Sequence, residues 1–373
     1  MWLRFQGCCL FCGTMLAWAD ARWVHVSDFS GWEREAPGSA TWISPEWRHP
    51  TPFRELVVSW NLRAAADLRI EAQVLTADTW GRWWNLGYWS LHVSSTAASG
   101  STASSPQRTS VRGQRDESGS VDTDTLLVPK GARAVRLRVR FSDPAQTPAV
   151  LKRVDLAFWS PDSASGTEGG VSSQVVSAAT PSVPAGASPR GLLEVPLKSQ
   201  ADYPEGVTQW CSPTSLAMLM AFWGRETSHP EWDLDVRTVA AGVQDPGWPG
   251  TGNWAFNAAY AGSRPGLQAA AVRLGGIADL RVLIASGIPV ATSVSYSVLK
   301  GGPKPEKGDG HLIVVCGLSG STVTVNDPGA RLSRVRREFP LPAFQAAWSA
   351  SHRTAYVVWP EGRTLPTSPL GTW

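Results

Sequence analysis

Between Ser160 and Pro189 the chain runs through Ser, Gly, Ala, Pro and Thr with almost no large apolar residue. Such a stretch cannot bury enough surface to offset the entropy of ordering it, so it reads as a linker. It divides the 373 residues into a first unit over 20–160, a linker over 161–190 and a second unit over 191–373. That length suits two domains. A linker of this composition predicts two halves that touch little and fold independently.

Ahead of the first unit, residues 1–19 read as a cleavable signal peptide. Arg4 precedes an apolar run from Phe5 to Trp18, and Ala17-Trp18-Ala19 gives the small-x-small pattern before Asp20. The run is shorter than a bilayer-spanning helix needs, and every later apolar run is broken by charge, Gly or Pro, so the mature chain is expected to be extracytoplasmic with no transmembrane segment. Cys8, Cys9 and Cys12 would leave with the signal; lipid attachment at Cys8 or Cys9 is the lesser alternative. Only Cys211 and Cys316 remain, too few for a disulfide-built scaffold. The net charge of +3 is scattered, without the basic stripe that tracks a phosphate backbone, so no nucleic-acid partner is expected. The absence of Cys and His at metal-ligand spacing predicts no metal and no cofactor. The expected assembly is a monomer.

In the first unit, short runs rich in Val, Leu, Arg and Trp alternate with turn formers: Arg54 to Asn61, Asp67 to Leu75, Leu126 to Pro129, Ala134 to Phe141 and Val150 to Trp159. From Ala134 to Phe141 apolar residues and Arg trade faces with period two, which predicts an antiparallel β-sandwich with one wet face, jelly-roll-like in kind. Ten tryptophans lie between Trp23 and Trp159, with a cluster at Trp80, Trp83, Trp84 and Trp89. Exposed indoles would stack on sugar rings and suggest a glycan or cell-wall ligand; as large apolar fillers the same residues would pack the core, and that reading is preferred.

In the second unit the segment from Trp210 to Gly224 carries the chemistry. Leu216, Leu219, Met220 and Trp223 recur at helical spacing, Pro213 fits the first turn and Gly224 fits just past the end. Cys211 therefore falls at a helix N-terminus. Unpaired backbone N–H groups and the positive end of the helix dipole favour a thiolate there, and the same donors can meet an oxyanion forming on an attacked carbonyl. A lone cysteine is otherwise most often an inert buried thiol, so the base decides.

His311 opens a strand over Gly310 to Gly317, followed by a turn near Ser319 and a return strand ending in Asn326-Asp327-Pro328. A hairpin centred on Ser319 pairs residues whose numbers sum to 638, which sets His311 opposite Asp327. A carboxylate on one imidazole nitrogen fixes the tautomer and leaves the other for the thiol. Asn326 is the alternative orienter, although its side chain should face the other way. Cys316, an odd number of residues along the strand from His311, is expected to be a core filler.

These stretches, together with Val195 to Gln200, Gly252-Asn253-Trp254-Ala255-Phe256-Asn257 and Val325 to Pro328, resemble the bacterial cysteine peptidases related to the bacteriocin-processing (double-glycine leader) peptidases of the papain superfamily. The resemblance implies an α+β papain-like catalytic domain, a peptide or protein substrate, and a glutamine upstream of the nucleophile that completes the oxyanion hole. Gln200 matches that residue, with Gln209 as the alternative. It also implies that Asn253 and Trp254 border the substrate cleft. Ser212 stands where many relatives carry Gly, which would crowd that cleft slightly. The first unit is similar to the domain that precedes some secreted members.

The expected activity is that of an extracytoplasmic cysteine peptidase acting through an acyl-thioenzyme, with Cys211 as nucleophile, His311 as base and Asp327 as orienter. Two other readings stand beside it: a glycan- or wall-binding protein with a vestigial peptidase domain, and a transglutaminase-like acyltransferase using the same triad. Substrate choice is expected to lie in the loops between Trp223 and Leu299.

Overall fold

The computed structural model describes residues 21–91, 108–161, 191–306 and 308–373. The signal-peptide reading and nearly all of the linker lie outside the described residues. Among the described residues the first unit contains ten strands: β1 (Ala21–Val26), β2 (Glu33–Arg34), β3 (Thr41–Ile43), β4 (Trp47–Leu62), β5 (Leu68–Thr76), β6 (Thr79–Trp89), β7 (Arg115–Asp116), β8 (Gly119–Asp122), β9 (Thr125–Phe141) and β10 (Leu151–Trp159). They form one antiparallel network in the order β1-β10-β4-β9-β3-β2, which branches at β9 to β5 and β6 and to β8 and β7.

The runs Leu126 to Pro129 and Ala134 to Phe141, expected as separate strands, are the two halves of β9. The first half pairs with β4 and β8, the second with β5, β3 and the start of β4. The period-two pattern of the second half does what it predicts. Val135, Leu137 and Val139 are buried, while Arg136 and Arg138 stack over Trp83 at 5.5 and 4.5 Å on the other face. Guanidinium–indole stacking partly covers that wet face without burying a charge unpaired.

The second unit is α+β. Its helices are α1 (Cys211–Thr227), α2 (Val236–Val243), α3 (Trp254–Gly262), α4 (Ile277–Ala285), α5 (Tyr296–Leu299) and α6 (Leu341–Ser349). Its strands are β11 (Leu267–Arg273), β12 (Val290–Ser295), β13 (Gly310–Ser319), β14 (Thr322–Asn326), β15 (Arg336–Pro340) and β16 (Thr354–Pro360). They make an antiparallel sheet in the order β11-β16-β12-β13-β14-β15, with α1 packed against β13. No helix among the described residues is long and apolar enough to cross a membrane.

The expectation of halves that touch little is wrong. One apolar core runs through both units, and the reason is an edge that must be closed. Strand β11 ends its sheet, so one row of its backbone polar groups has no strand to pair with. The first unit supplies partners as side chains. Asn61 donates to the carbonyl of Ala269 and accepts its N–H, at 2.8 and 2.9 Å, and the Ser59 hydroxyl accepts the N–H of Ala271 at 3.0 Å. Asn61 and Ser59 are fully buried, so losing either would strand backbone groups at about 1–3 kcal/mol each.

Close approach demands a glycine at this junction. A Cβ on Gly262 at the end of α3 would lie 2.1 Å from the Asn61 side chain. Tryptophan fills much of the remaining junction: Trp60 and Trp89 meet Phe256 of α3 at 6.2 and 5.6 Å, and Trp23 meets Trp359 at 6.1 Å. Linker composition says how ordered the connecting chain is; it says nothing about the apolar faces at either end of it.

Candidate active site

Cys211 is the first residue of α1, half-buried at the floor of a cleft of about 800 Å³. The helix runs further than the apolar spacing predicts, to Thr227, and ends where Ser228 adopts the left-handed conformation with φ 61°. Gly224 therefore lies inside the helix, where a side chain would strike the carbonyl of His229 at 2.7 Å. Ser212 does not crowd the cleft, because its hydroxyl is buried and meets Tyr356 Oη at 2.9 Å.

His311, at the start of β13, places Nε2 2.7 Å from Asp327 Oδ1. A carboxylate can only accept, so Nε2 carries the proton and Nδ1 is left for the thiol. Asp327 is fully buried and held on three sides: by His311, by the N–H of Gly329 at 3.0 Å and by Arg337 Nη1 at 2.7 Å. The Tyr296 ring lies 4.8 Å from the imidazole.

This contact arises by a different register from the one the hairpin count predicts. Next to the turn, Ser319 pairs with Thr322 and Leu318 with Val323, so pair sums are 641; a bulge at Cys316 then brings Val315 opposite Val325 and Val314 opposite Asn326. The ladder stops there, and Asp327 reaches His311 from the loop beyond the strand. Gly320, with φ 54°, makes the tight turn. Asn326 is used elsewhere: its amide donates to the carbonyl of Val195 at 3.1 Å and accepts from Arg336.

The charges reinforce one another. Burial opposes ionisation of the Cys211 thiol, but hydrogen bonding and attraction from His311, with the N–H groups of Leu312 and Ser212, outweigh it and hold the thiol below its ordinary value. Burial likewise opposes the imidazolium, and here hydrogen bonds to Asp327 and Cys211 win, pushing His311 up to about 10. Desolvation also works against the Asp327 carboxylate; His311, the Gly329 N–H and Arg337 overcome it and keep the group below the usual carboxylate range. The outcome is a thiolate beside an imidazolium beside a carboxylate. Cys316 is the counterexample: it is fully buried in β13, where desolvation pushes its thiol up to about 12.

The remaining sequence candidates divide. Gln200 is buried near the turn after Ser199, with its amide nitrogen donating to the carbonyl of Val207 at 2.6 Å and its Oε1 without a partner. Gln209 is exposed and lines the cleft. Trp254 also lines it, but Asn253 does not. That residue is fully buried as the N-cap of α3, its Oδ1 accepting the N–H of Phe256 and its amide donating to Asp245 Oδ2. An Asn immediately ahead of an apolar helical run is a capping signal that the resemblance overrode.

Three features of the site were missed in the sequence. Arg337 braces Asp327 from β15, a contact that spacing alone does not reveal. Gly329 leaves room for the imidazole, since a Cβ there would sit 3.1 Å from His311 Cε1. The third is that Glu55, Thr123 and Asp124 of the first unit line the same cleft as Cys211. Among the described residues no His, Cys, Asp and Glu cluster could hold a metal ion.

A thiol at a helix N-terminus, with a histidine at the start of the facing strand bonded to an acid from the loop after its hairpin, is an arrangement that cysteine peptidases use. Residues 192–356 match the family described as Peptidase_C39 like, and residues 19–157 match the one described as Peptidase C39 N-terminal domain. These matches support a cysteine peptidase whose second unit is a C39-like peptidase domain. Among solved structures it is similar to a C39-like peptidase from Bacillus anthracis, at 17% identity and a TM-score of 0.36, over 47% of this chain and 100% of that one. It is also similar to a double glycine motif protease from an AMS/PCAT transporter in complex with the leader peptide, at 18% identity and a TM-score of 0.28, over 46% of this chain and 98% of that one. No curated protein matches the chain.

Proposed function

We propose that this chain hydrolyses peptide bonds through an acyl-thioenzyme, with Cys211 as nucleophile, His311 as general base and acid, and Asp327 as its orienter. The observation that carries the reading is the His311–Asp327 bond of 2.7 Å beside a thiol held below its ordinary value. The thiolate attacks the substrate carbonyl and forms the C–S bond. His311 then gives its proton to the leaving amine, and a water whose proton passes to His311 cleaves the thioester, releasing the acid and restoring the thiolate. The oxyanion of each tetrahedral intermediate is met by N–H groups at the start of α1 and by the amide of Gln200, whose second N–H is available beyond the one donated to Val207. Gln209, on the cleft rim, is the alternative donor.

The protein acts outside the cytoplasm after cleavage before Asp20, on an extended peptide. Acid quenching during turnover, followed by mass mapping, is expected to show a thioester on the segment containing Cys211. No adduct, or an adduct on Cys316, rejects the mechanism. N-terminal sequencing of protein recovered from the medium or cell surface should begin at Asp20; an intact Met1 there rejects the signal.

A further inference from the structure

The turn from β8 to β9 is built on Thr123, whose φ of 57° puts a β-branched residue in the left-handed region. Such a conformation costs energy and persists where the surroundings hold it. Asp124, the next residue, ties the turn to the other domain. It is buried, and its Oδ2 accepts the N–H of Trp254, the first residue of α3. That N–H has no partner within the helix. The start of α3 thus has two side-chain acceptors, Asn253 from its own domain and Asp124 from the first unit.

The segment leading to Trp254 is strapped across the junction in the same way. Arg108 donates to the carbonyls of Ala241 and Gln244 at 2.7 and 2.9 Å, and Arg112 to that of Gly247. Asp245 accepts the N–H of Ser110 at 2.9 Å and the Asn253 amide at 2.9 Å. Gly247 allows this approach, since a Cβ there would lie 2.1 Å from the carbonyl of Ser110. Trp248 and Trp254, at either end of the strapped stretch, line the cleft with Thr123, Asp124 and Cys211.

We propose that Asp124 is a positioning residue for substrate recognition: by fastening Trp254 it sets the wall that an extended peptide meets when its carbonyl reaches Cys211, which makes the first unit part of the specificity apparatus of the peptidase. The proposal rests on Cys211 being the nucleophile. Burial pushes the Asp124 carboxyl up to about 6, against the opposing N–H of Trp254 and the Thr125 hydroxyl. What the Trp254 N–H needs here is an acceptor oxygen, which an amide can supply as well as a carboxylate.

The test compares two reagents on the full chain: iodoacetamide, which needs only the thiolate, and an N-acetyl tetraalanyl chloromethyl ketone, which must also occupy the wall. Asp124→Ala is expected to raise the half-saturating concentration of the peptidyl reagent about tenfold, the size of a lost helix cap acting on a binding surface, with iodoacetamide alkylation of Cys211 unchanged. Asp124→Asn, which keeps an oxygen for the Trp254 N–H, should stay near wild type. Thr123→Gly relieves the turn, so it folds even if Asp124→Ala does not, and it too should weaken the peptidyl reagent alone. Unchanged saturation in both Asp124→Ala and Thr123→Gly, or an equal fall in both reactions, overturns the proposal. If neither reagent modifies Cys211 in the wild-type protein, the nucleophile assignment fails instead.

Discussion

Cys211 and Cys316 are the same side chain in two opposite settings. Cys211 opens α1 at the floor of a cleft, where N–H groups and an imidazolium face it. Cys316 sits fully buried in the middle of β13, with its thiol donating to the carbonyl of Val314 at 3.4 Å. The first setting stabilises the anion and the second forbids it. Reactivity is therefore a property of the backbone position and its partners, and a count of cysteines carries no information about it.

The largest expected break in that contrast is Cys211→Ala. Peptide hydrolysis should fall by roughly 10⁴-fold or more, as for removal of a nucleophile from other triads, while the midpoint of thermal unfolding barely moves, since the thiol is no core filler. Kinetics and calorimetry on one preparation check both halves. Retained hydrolysis would falsify the mechanism.

Next in size is Asp327→Ala, expected to cost on the order of 10²–10⁴-fold, because the imidazole loses its orienter and Arg337 loses its anion. It should also reshape the pH profile. Activity is expected to be bell-shaped, rising as the Cys211 thiol ionises and falling as His311 loses the proton needed by the leaving amine. Asp327 raises the His311 value, so removing it lowers that value and moves the alkaline limb to lower pH. Asn326→Ala should loosen the Val195 segment and leave the limb in place. A shifted limb in the Asn326 variant, with an unshifted one in the Asp327 variant, would reverse the two roles.

Cys316→Ser should do the opposite of Cys211→Ala. Its activity per folded molecule should be unchanged, and denaturant unfolding should report a loss of about 1–2 kcal/mol, because a hydroxyl replaces a thiol in an apolar site. Dead but stable protein would mean that Cys316 takes part in the chemistry. The smallest effect is expected from Gly329→Ala, where a methyl must displace His311 by a few tenths of an ångström; the turnover number should fall severalfold, with stability within about 0.5 kcal/mol of wild type. No change in turnover would show that the imidazole has slack.

The two cysteines also mark how far the sequence could be read. The position of Cys211 at a helix N-terminus was legible because Pro213 and the apolar spacing from Leu216 to Trp223 are local signals. The partnership of His311 with Asp327 was legible in outcome but not in register: the bulge at Cys316 and the turn at Gly320 shift the ladder, and neither leaves a trace in alternation. Asn253 was misread because a helix cap and a cleft residue can be the same amino acid. The junction was invisible in another way. Asn61 and Ser59 look like ordinary polar residues near the end of a strand, and only the unpaired edge of β11, more than two hundred positions away, explains why they are buried. The contribution of Asp124 to the cleft has the same character, being long-range and polar.

The two thiols differ above all in their electrostatic settings, and alkylation measures that difference directly. The native full chain is treated with iodoacetamide across a range of pH, and the modified residue is mapped by mass spectrometry. Modification is predicted at Cys211 alone, with a rate that reaches its plateau at a pH below the ordinary thiol value, while Cys316 stays unmodified until the protein unfolds. Equal labelling of the two cysteines, or a Cys211 rate that rises only above the ordinary thiol value, would contradict the thiolate–imidazolium pair and the mechanism built on it.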